Sequence, residues 1–148
     1  MHEFGMPLLS GRNEILIDDT VSRREMFSVI YKMKRNNEFE YFTDIQPTPS
    51  VADIIWNAVM EIKYAGLDPD SLDETLFVSP EKARDIKNII KNYDLLLKAE
   101  KMTDYPGLIQ MLLESGVSSR EVLLLVPNSL KLRFIERKFI DKAFSRLR

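Results

Sequence analysis

The chain has 148 residues, 45% apolar and 30% charged, with no cysteine, the composition of one globular domain able to build a core without a metal or disulfide staple. The missing cysteines exclude a disulfide framework, thiolate zinc sites, iron–sulfur clusters and cysteine nucleophiles. A single histidine, His2, leaves no material for multi-histidine metal sites or histidine acid–base chemistry. With 21 Lys and Arg against 23 Asp and Glu the net charge is −2, so any basic surface is local.

Residues 1–18 read as an N-terminal tail, and residues 19–148 as a single helical domain. The first ten residues lack the basic start and apolar centre of a secretory signal. No run of about 18 apolar residues is present to span a membrane. Together with the absence of cysteine, this sets the expectation of a cytoplasmic protein with no membrane partner.

Val21 to Asn36 reads as the first helix, capped by Asp19 or Thr20, with Met26, Phe27, Ile30 and Met33 on one side. Asn37 to Pro49 mixes aromatics with polar breaks, and Pro47 and Pro49 restrict the backbone against helix, so an ordered loop is expected. Ser50 and Asp53 are spaced as a capping box for a second helix that Gly66 ends. Its core face is Val51, Ile54, Ile55, Ala58, Val59, Ile62 and Ala65. Trp56, Met60 and Tyr64 follow at i, i+4 and i+8 as a second apolar stripe. That stripe reads either as a second packed side of the helix or as a docking surface for a partner domain or chain.

Ser79 and Pro80 stand as N-cap and first residue of the longest helix, about 80–102, with Ala83, Ile86, Ile90, Tyr93 and Leu97 inward. Lys82, Arg84, Lys87, Lys91 and Lys98 mostly face away. A shorter helix runs from Pro106 to Ser115 and stops at Gly116. The last spans about Ser129 to Leu147, with Leu132, Ile135, Phe139, Ile140, Ala143 and Leu147 in one sector. Between them, Glu121 to Val126 suits either a buried strand or a short helix capped by Ser118. The fold class is mainly α: a bundle of about five helices with at most one short strand.

Familiar reaction chemistry is missing. Ser10-Gly11-Arg12-Asn13 lacks the spacing of a phosphate-binding loop. The pairs Asp18/Asp19 and Asp68/Asp70 suggest a hard cation, but they stand in turn-like sequence where aspartate caps or turns the backbone. Glu61-Ile62-Lys63 supplies the letters of a metal nuclease, yet side chains at i and i+2 of a helix diverge. No catalytic residue, metal ligand or cofactor site is assigned.

Charge carries the positive signal. Residues 129–148 hold seven cations against Glu136 and Asp141, a net +5, leaving −7 for the remainder. Lys131, Arg137, Lys138, Lys142 and Arg148 cluster away from the apolar sector, a geometry that can track phosphates; the plain alternative is a solvated helix face.

The order of segments adds a resemblance. Val51-Ala52-Asp53-Ile54-Ile55 runs through Glu61-Ile62-Lys63-Tyr64-Ala65-Gly66-Leu67-Asp68-Pro69. Lys82 to Leu97 follows, with Asp85-Ile86, Ile89-Ile90 and Tyr93-Asp94, and then Asp104 with Leu108-Ile109-Gln110-Met111-Leu112. This succession, over about residues 15–144, resembles the helical 1B-type region of superfamily 1 helicases, particularly AddB-like subunits of bacterial ATP-dependent helicase–nucleases. The resemblance implies a piece of a longer DNA repair and recombination protein: a non-catalytic scaffold contacting DNA weakly and without sequence preference, beside neighbouring domains or a partner helicase–nuclease subunit. Val122 to Val126 would match the strand that bears the acidic ATP motif, but Pro127-Asn128-Ser129 follows in place of an Asp-Glu pair, which argues against motor activity. A helix-turn-helix across Leu112 to Val126 is disfavoured because Leu123-Leu124-Leu125-Val126 offers no polar readout of bases. The alternative is a helical protein–protein interaction module with no nucleic-acid role, using Trp56, Met60 and Tyr64.

Overall fold

A computed structural model describes residues 9–116 and 131–144. Residues 9–12 form a short helical segment, and five longer α-helices follow: α1 (Asp19–Arg35), α2 (Pro49–Tyr64), α3 (Pro80–Ala99), α4 (Tyr105–Ser115) and α5 (Phe134–Phe144). Two single-turn 3-10 helices, Pro69–Ser71 and Glu74–Leu76, link α2 to α3. The mainly α-helical bundle expected from periodicity is therefore what forms. The ambiguous segment 121–126 and its cap Ser118 lie outside the described residues. None of the described helices is long and apolar enough to cross a membrane.

Each of α1 to α4 starts on a side chain that accepts a free amide of its first turn. For α1 that residue is Asp18, one position before the expected caps, with Val21 N–H donating to Oδ1 at 2.9 Å. For α2 it is Thr48, not Ser50: Thr48 Oγ1 accepts from Val51 N–H at 3.3 Å, and Pro49 opens the helix. A proline at the first helical position gives up an amide that would have no helical partner, so Pro49 favours the helix it was expected to oppose. Ser79 caps α3 as expected, but the helix stops at Ala99, because Lys101 turns left-handed at φ 53° and Met102 enters a strand. For α5, residues 131–133 are not helical; it begins at Phe134, where Glu136 reaches back to the Arg133 amide at 2.8 Å.

The only β structure among the described residues is a parallel pair, β1 (Ile15–Leu16) and β2 (Met102–Thr103). Thr103 Oγ1 also donates to the Glu14 carboxylate at 2.6 Å. Nothing in the apolar pattern marks a two-residue strand. Its effect is positional: β1 leads into cap Asp18 and β2 into Asp104, so α1 and α4 start from the same end of one ribbon. The assigned tail is thus docked from Leu9 onward, with Leu9 and Ile17 buried.

Two cores follow. The first gathers Met26, Ile30 and Met33 of α1, Ile55 and Val59 of α2, and Ile86, Ile89, Ile90 and Tyr93 of α3. The second joins Leu9, Leu108, Ile109 and Leu112 to Ile135 and Phe139. Tyr64 packs against both. Gly66 lets them meet: at φ 67°, a Cβ there would stand 2.6 Å from Ile135 Cγ2.

The buried sector of α2 is rotated from the one expected. Ile54 is 70% exposed and Ala58 is also exposed, whereas Ala52, Trp56 and Met60 are buried. The reason is polar as well as apolar: Trp56 Nε1 donates to Ser22 Oγ at 2.6 Å, and Ser22 Oγ lies 2.7 Å from the Tyr93 hydroxyl. This fully buried relay ties α1, α2 and α3 together, and an indole N–H turned outward would forgo it.

Asp85, 0% exposed, fixes the loop between α1 and α2. Its carboxylate accepts the backbone amides of Glu40, Tyr41 and Phe42 at 2.9, 2.8 and 2.9 Å. Three consecutive amides aimed at one carboxylate form an anion-holding nest supplied from within the chain. Replacing Asp85 with Ala leaves those amides without an acceptor, and urea unfolding should show a loss of about 3 kcal/mol. Limited proteolysis should open the loop over residues 37–48 in the variant; an unchanged unfolding midpoint would contradict this role.

Candidate functional site

The cationic residues singled out from the sequence separate into different environments. Arg137 and Lys138 are exposed on α5, opposite Ile135, Phe139 and Ala143, and Lys131 is exposed just before that helix. None of these three makes an ion pair among the described residues. Lys142 is different: its Nζ donates to the Leu113 carbonyl near the end of α4, so it helps join α5 to α4. Arg148 lies outside the described residues.

Three cations of α3 pair with carboxylates, and Lys82 lies over the Tyr41 ring. Arg84 meets Glu40 at 2.8 Å and Glu81 at 3.3 Å, Lys87 meets Glu74 at 3.0 Å, and Lys91 pairs with Asp70. They clamp the 69–76 connection and the α1–α2 loop onto the helix. The aspartate pairs serve the backbone likewise: Asp18 caps α1, and Asp68 Oδ1 accepts the Asp70 amide at 2.8 Å. Among the described residues no group of three or more His, Asp or Glu side chains is arranged to hold a metal ion.

Trp56, Met60 and Tyr64 do not form an exposed ridge. Trp56 and Met60 belong to the first core and Tyr64 is half-buried. They line an open cleft of about 620 Å³, with Asn57 and Glu61 of α2, Asp19 of α1, and Arg133 and Phe134 at the start of α5. The Arg133 guanidinium lies over the Tyr64 ring, 3.7 Å from its centroid. On the neighbouring ring, Arg23 stacks over Trp56 at 3.9 Å and pairs with Asp53 at 3.1 Å. The Tyr64 hydroxyl is pushed up to about 12, first by burial; Arg133 pulls it down, and the carboxylates of Glu136 and Asp19 push it up. Sequence reasoning found the aromatic stripe but missed Arg133, whose pairing with Tyr64 depends on α5 crossing the end of α2.

Beside the cleft lies an ion cluster with no sequence signature, enclosed at Lys63 and Asp104 and half-exposed at Asp94. Lys63 Nζ, its side chain 12% exposed, sits 2.6 Å from Asp94 Oδ1 of α3 and 2.7 Å from Asp104 Oδ2. It also lies 4.9 Å from the Tyr93 ring centroid. Asp104 Oδ1 caps α4 by accepting the Gly107 amide at 2.8 Å, an approach that a Cβ at Gly107 would crowd at 2.7 Å. Asp104 Oδ2 is fully buried and lacks a properly aligned hydrogen-bond donor, so its proximity to Lys63 acts as charge compensation. Burial by itself lowers the Lys63 pKa, but the Asp104 and Asp94 carboxylates outweigh it and the net displacement is upward from 10.5. This fixes Lys63 as a cation and removes it as a candidate nucleophile or base.

Compared with protein-family models, with curated proteins and with solved structures, the chain matches none.

The raised values give a pH signature. A group that holds its proton more tightly folded than unfolded stabilises fully below its unfolded value, and loses that contribution as pH rises through its folded value. Lys63 loses its share above 10.5, and Tyr64 between 10.0 and about 12. Stability measured in urea should therefore fall as pH rises from 10. Lys63→Met should be less stable by about 3 kcal/mol at neutral pH and show a shallower alkaline decline; a decline parallel to the parent's would exclude this ion cluster as its source.

Proposed function

We propose that this chain is a non-catalytic helical scaffold that contacts DNA through the phosphate backbone along α5 and its lead-in, within a helicase–nuclease-type assembly acting in DNA repair and recombination. The observation that carries the reading is the contrast in cation use. Arg84, Lys87 and Lys91 of α3 are committed to carboxylates, whereas Lys131, Arg137 and Lys138 project to solvent without ion pairs among the described residues. Exposed, uncommitted cations can neutralise phosphates and release counterions, giving weak, salt-sensitive and sequence-independent affinity. The order of apolar segments, with its resemblance to AddB-like subunits, supports the choice of assembly. The docked ribbon and two linked cores suit a rigid spacer between domains.

The experiment follows the residues left uncommitted. A Lys131→Glu/Arg137→Glu/Lys138→Glu variant should retain the parent's thermal midpoint, since the three side chains are exposed, and lose retention on generic DNA at low salt. The parent's binding should weaken linearly in log salt, with a slope of about 0.9 per phosphate contacted in duplex DNA. Unchanged retention by the variant would remove the DNA role. Lys142 is left intact because its bond to the Leu113 carbonyl would confound folding with binding.

The second reading, a module that binds protein, is favoured by the cleft floored with Trp56, Met60 and Tyr64. The two readings use different surfaces, and DNA retention discriminates them.

A further inference from the structure

The cleft at the junction of α1, α2 and α5 is chemically lopsided. Its floor is aromatic, and two arginines already show what the rings accept: Arg23 on Trp56 and Arg133 on Tyr64. In the first pair Asp53 completes the arrangement by neutralising the guanidinium. Around the second, Asp19 and Glu61 line the cleft without an ion pair among the described residues, and Glu136 is spent on the Arg133 amide. The carboxylates facing the cleft thus exceed its single guanidinium, while Phe134, 63% exposed, extends the apolar wall outward.

We infer that this cleft docks an arginine-bearing segment of a partner protein, the incoming guanidinium lying against the aromatic floor and pairing with Asp19 and Glu61. Charge complementarity selects the occupant. A cation can share the Tyr64 ring with Arg133 and gains the Asp19 and Glu61 carboxylates, whereas phosphate would be brought toward two negative groups. Arg133 is the intramolecular competitor: it holds the Tyr64 face while the cleft is empty and yields part of it when the partner enters. The inference does not rest on the DNA reading, because none of Lys131, Arg137 and Lys138 lines the cleft.

The test uses the full chain and a fluorescein-labelled peptide of alternating glycine and arginine, with a citrulline counterpart that keeps shape and removes charge. Fluorescence anisotropy should show the arginine peptide binding at least about tenfold more tightly than the citrulline one. Glu61→Gln, an exposed change, should weaken the arginine peptide about fivefold. Tyr64→Leu should weaken it similarly while Tyr64→Phe, which keeps the ring, preserves affinity, so that a folding defect is separated from a lost contact. Arg133→Ala should tighten binding about threefold by vacating the ring. Equal binding of the two peptides, indifference to Glu61→Gln, or weaker binding in Arg133→Ala overturns the inference. So does finding that Tyr64→Leu abolishes binding of an oligodeoxythymidine, or self-association in sedimentation, while sparing the peptide: either result gives the cleft to a base or to a second copy.

Discussion

One ammonium group sits where the two cores meet. Lys63 comes from α2, Asp94 from α3, and Asp104 is the residue on which α4 begins. A carboxylate as buried as Asp104 is costly unless a cation stands beside it, and a lysine so enclosed is costly without carboxylates. Each group therefore makes the others tolerable, and the register of α4 against α2 and α3 follows. Tyr64, the next residue along α2, packs into both cores, and Gly66 admits Ile135 of α5 against the end of the same helix. The last turn of α2 is thus the joint on which the second core is mounted. Both the cleft and the cationic helix take their positions from it.

How much of this was legible depends on whether the information is local. Helix positions follow from apolar spacing, and the stops at Gly66 and Gly116 follow from left-handed backbone that glycine adopts readily. Cap identity was less secure: Asp18, Asp19 and Thr20, like Thr48 and Ser50, are all competent acceptors, and the choice between them is made by where each helix enters the core. The inward face of α2 was misjudged because a wheel weighs Ile54 and Trp56 only by apolarity. The buried hydroxyl of Ser22, which gives the indole N–H its partner, comes from another helix 34 positions away. Asp85 and Lys63 were hidden for the same reason. Charged letters on amphipathic helices read as solvated, and only tertiary contact shows that they are enclosed.

For the candidate surfaces the division is similar. The basic character of the C-terminal segment is a property of composition and was visible at once, as was the aromatic stripe of α2. What structure adds is commitment. It distinguishes cations holding the fold, such as Arg84 and Lys142, from Lys131, Arg137 and Lys138. It also places the stripe, which the sequence left open between a packed side and a docking surface, on the floor of a cleft rimmed by Asp19, Glu61 and Arg133. A helix with exposed cations and an acid-rimmed cleft thus stand about the same α2–α5 junction, two surfaces of opposite chemistry.

The central claim is that the Lys63 cluster mounts the α4–α5 core on the three-helix core. Native-state hydrogen exchange on Lys63→Met tests it most directly. Amides of α4 and α5 should exchange much faster than in the parent through local opening, while those of α1 and α3 far from Lys63 keep most of their protection. Uniform loss of protection across α1 to α5, or none in α4 and α5, would contradict the account.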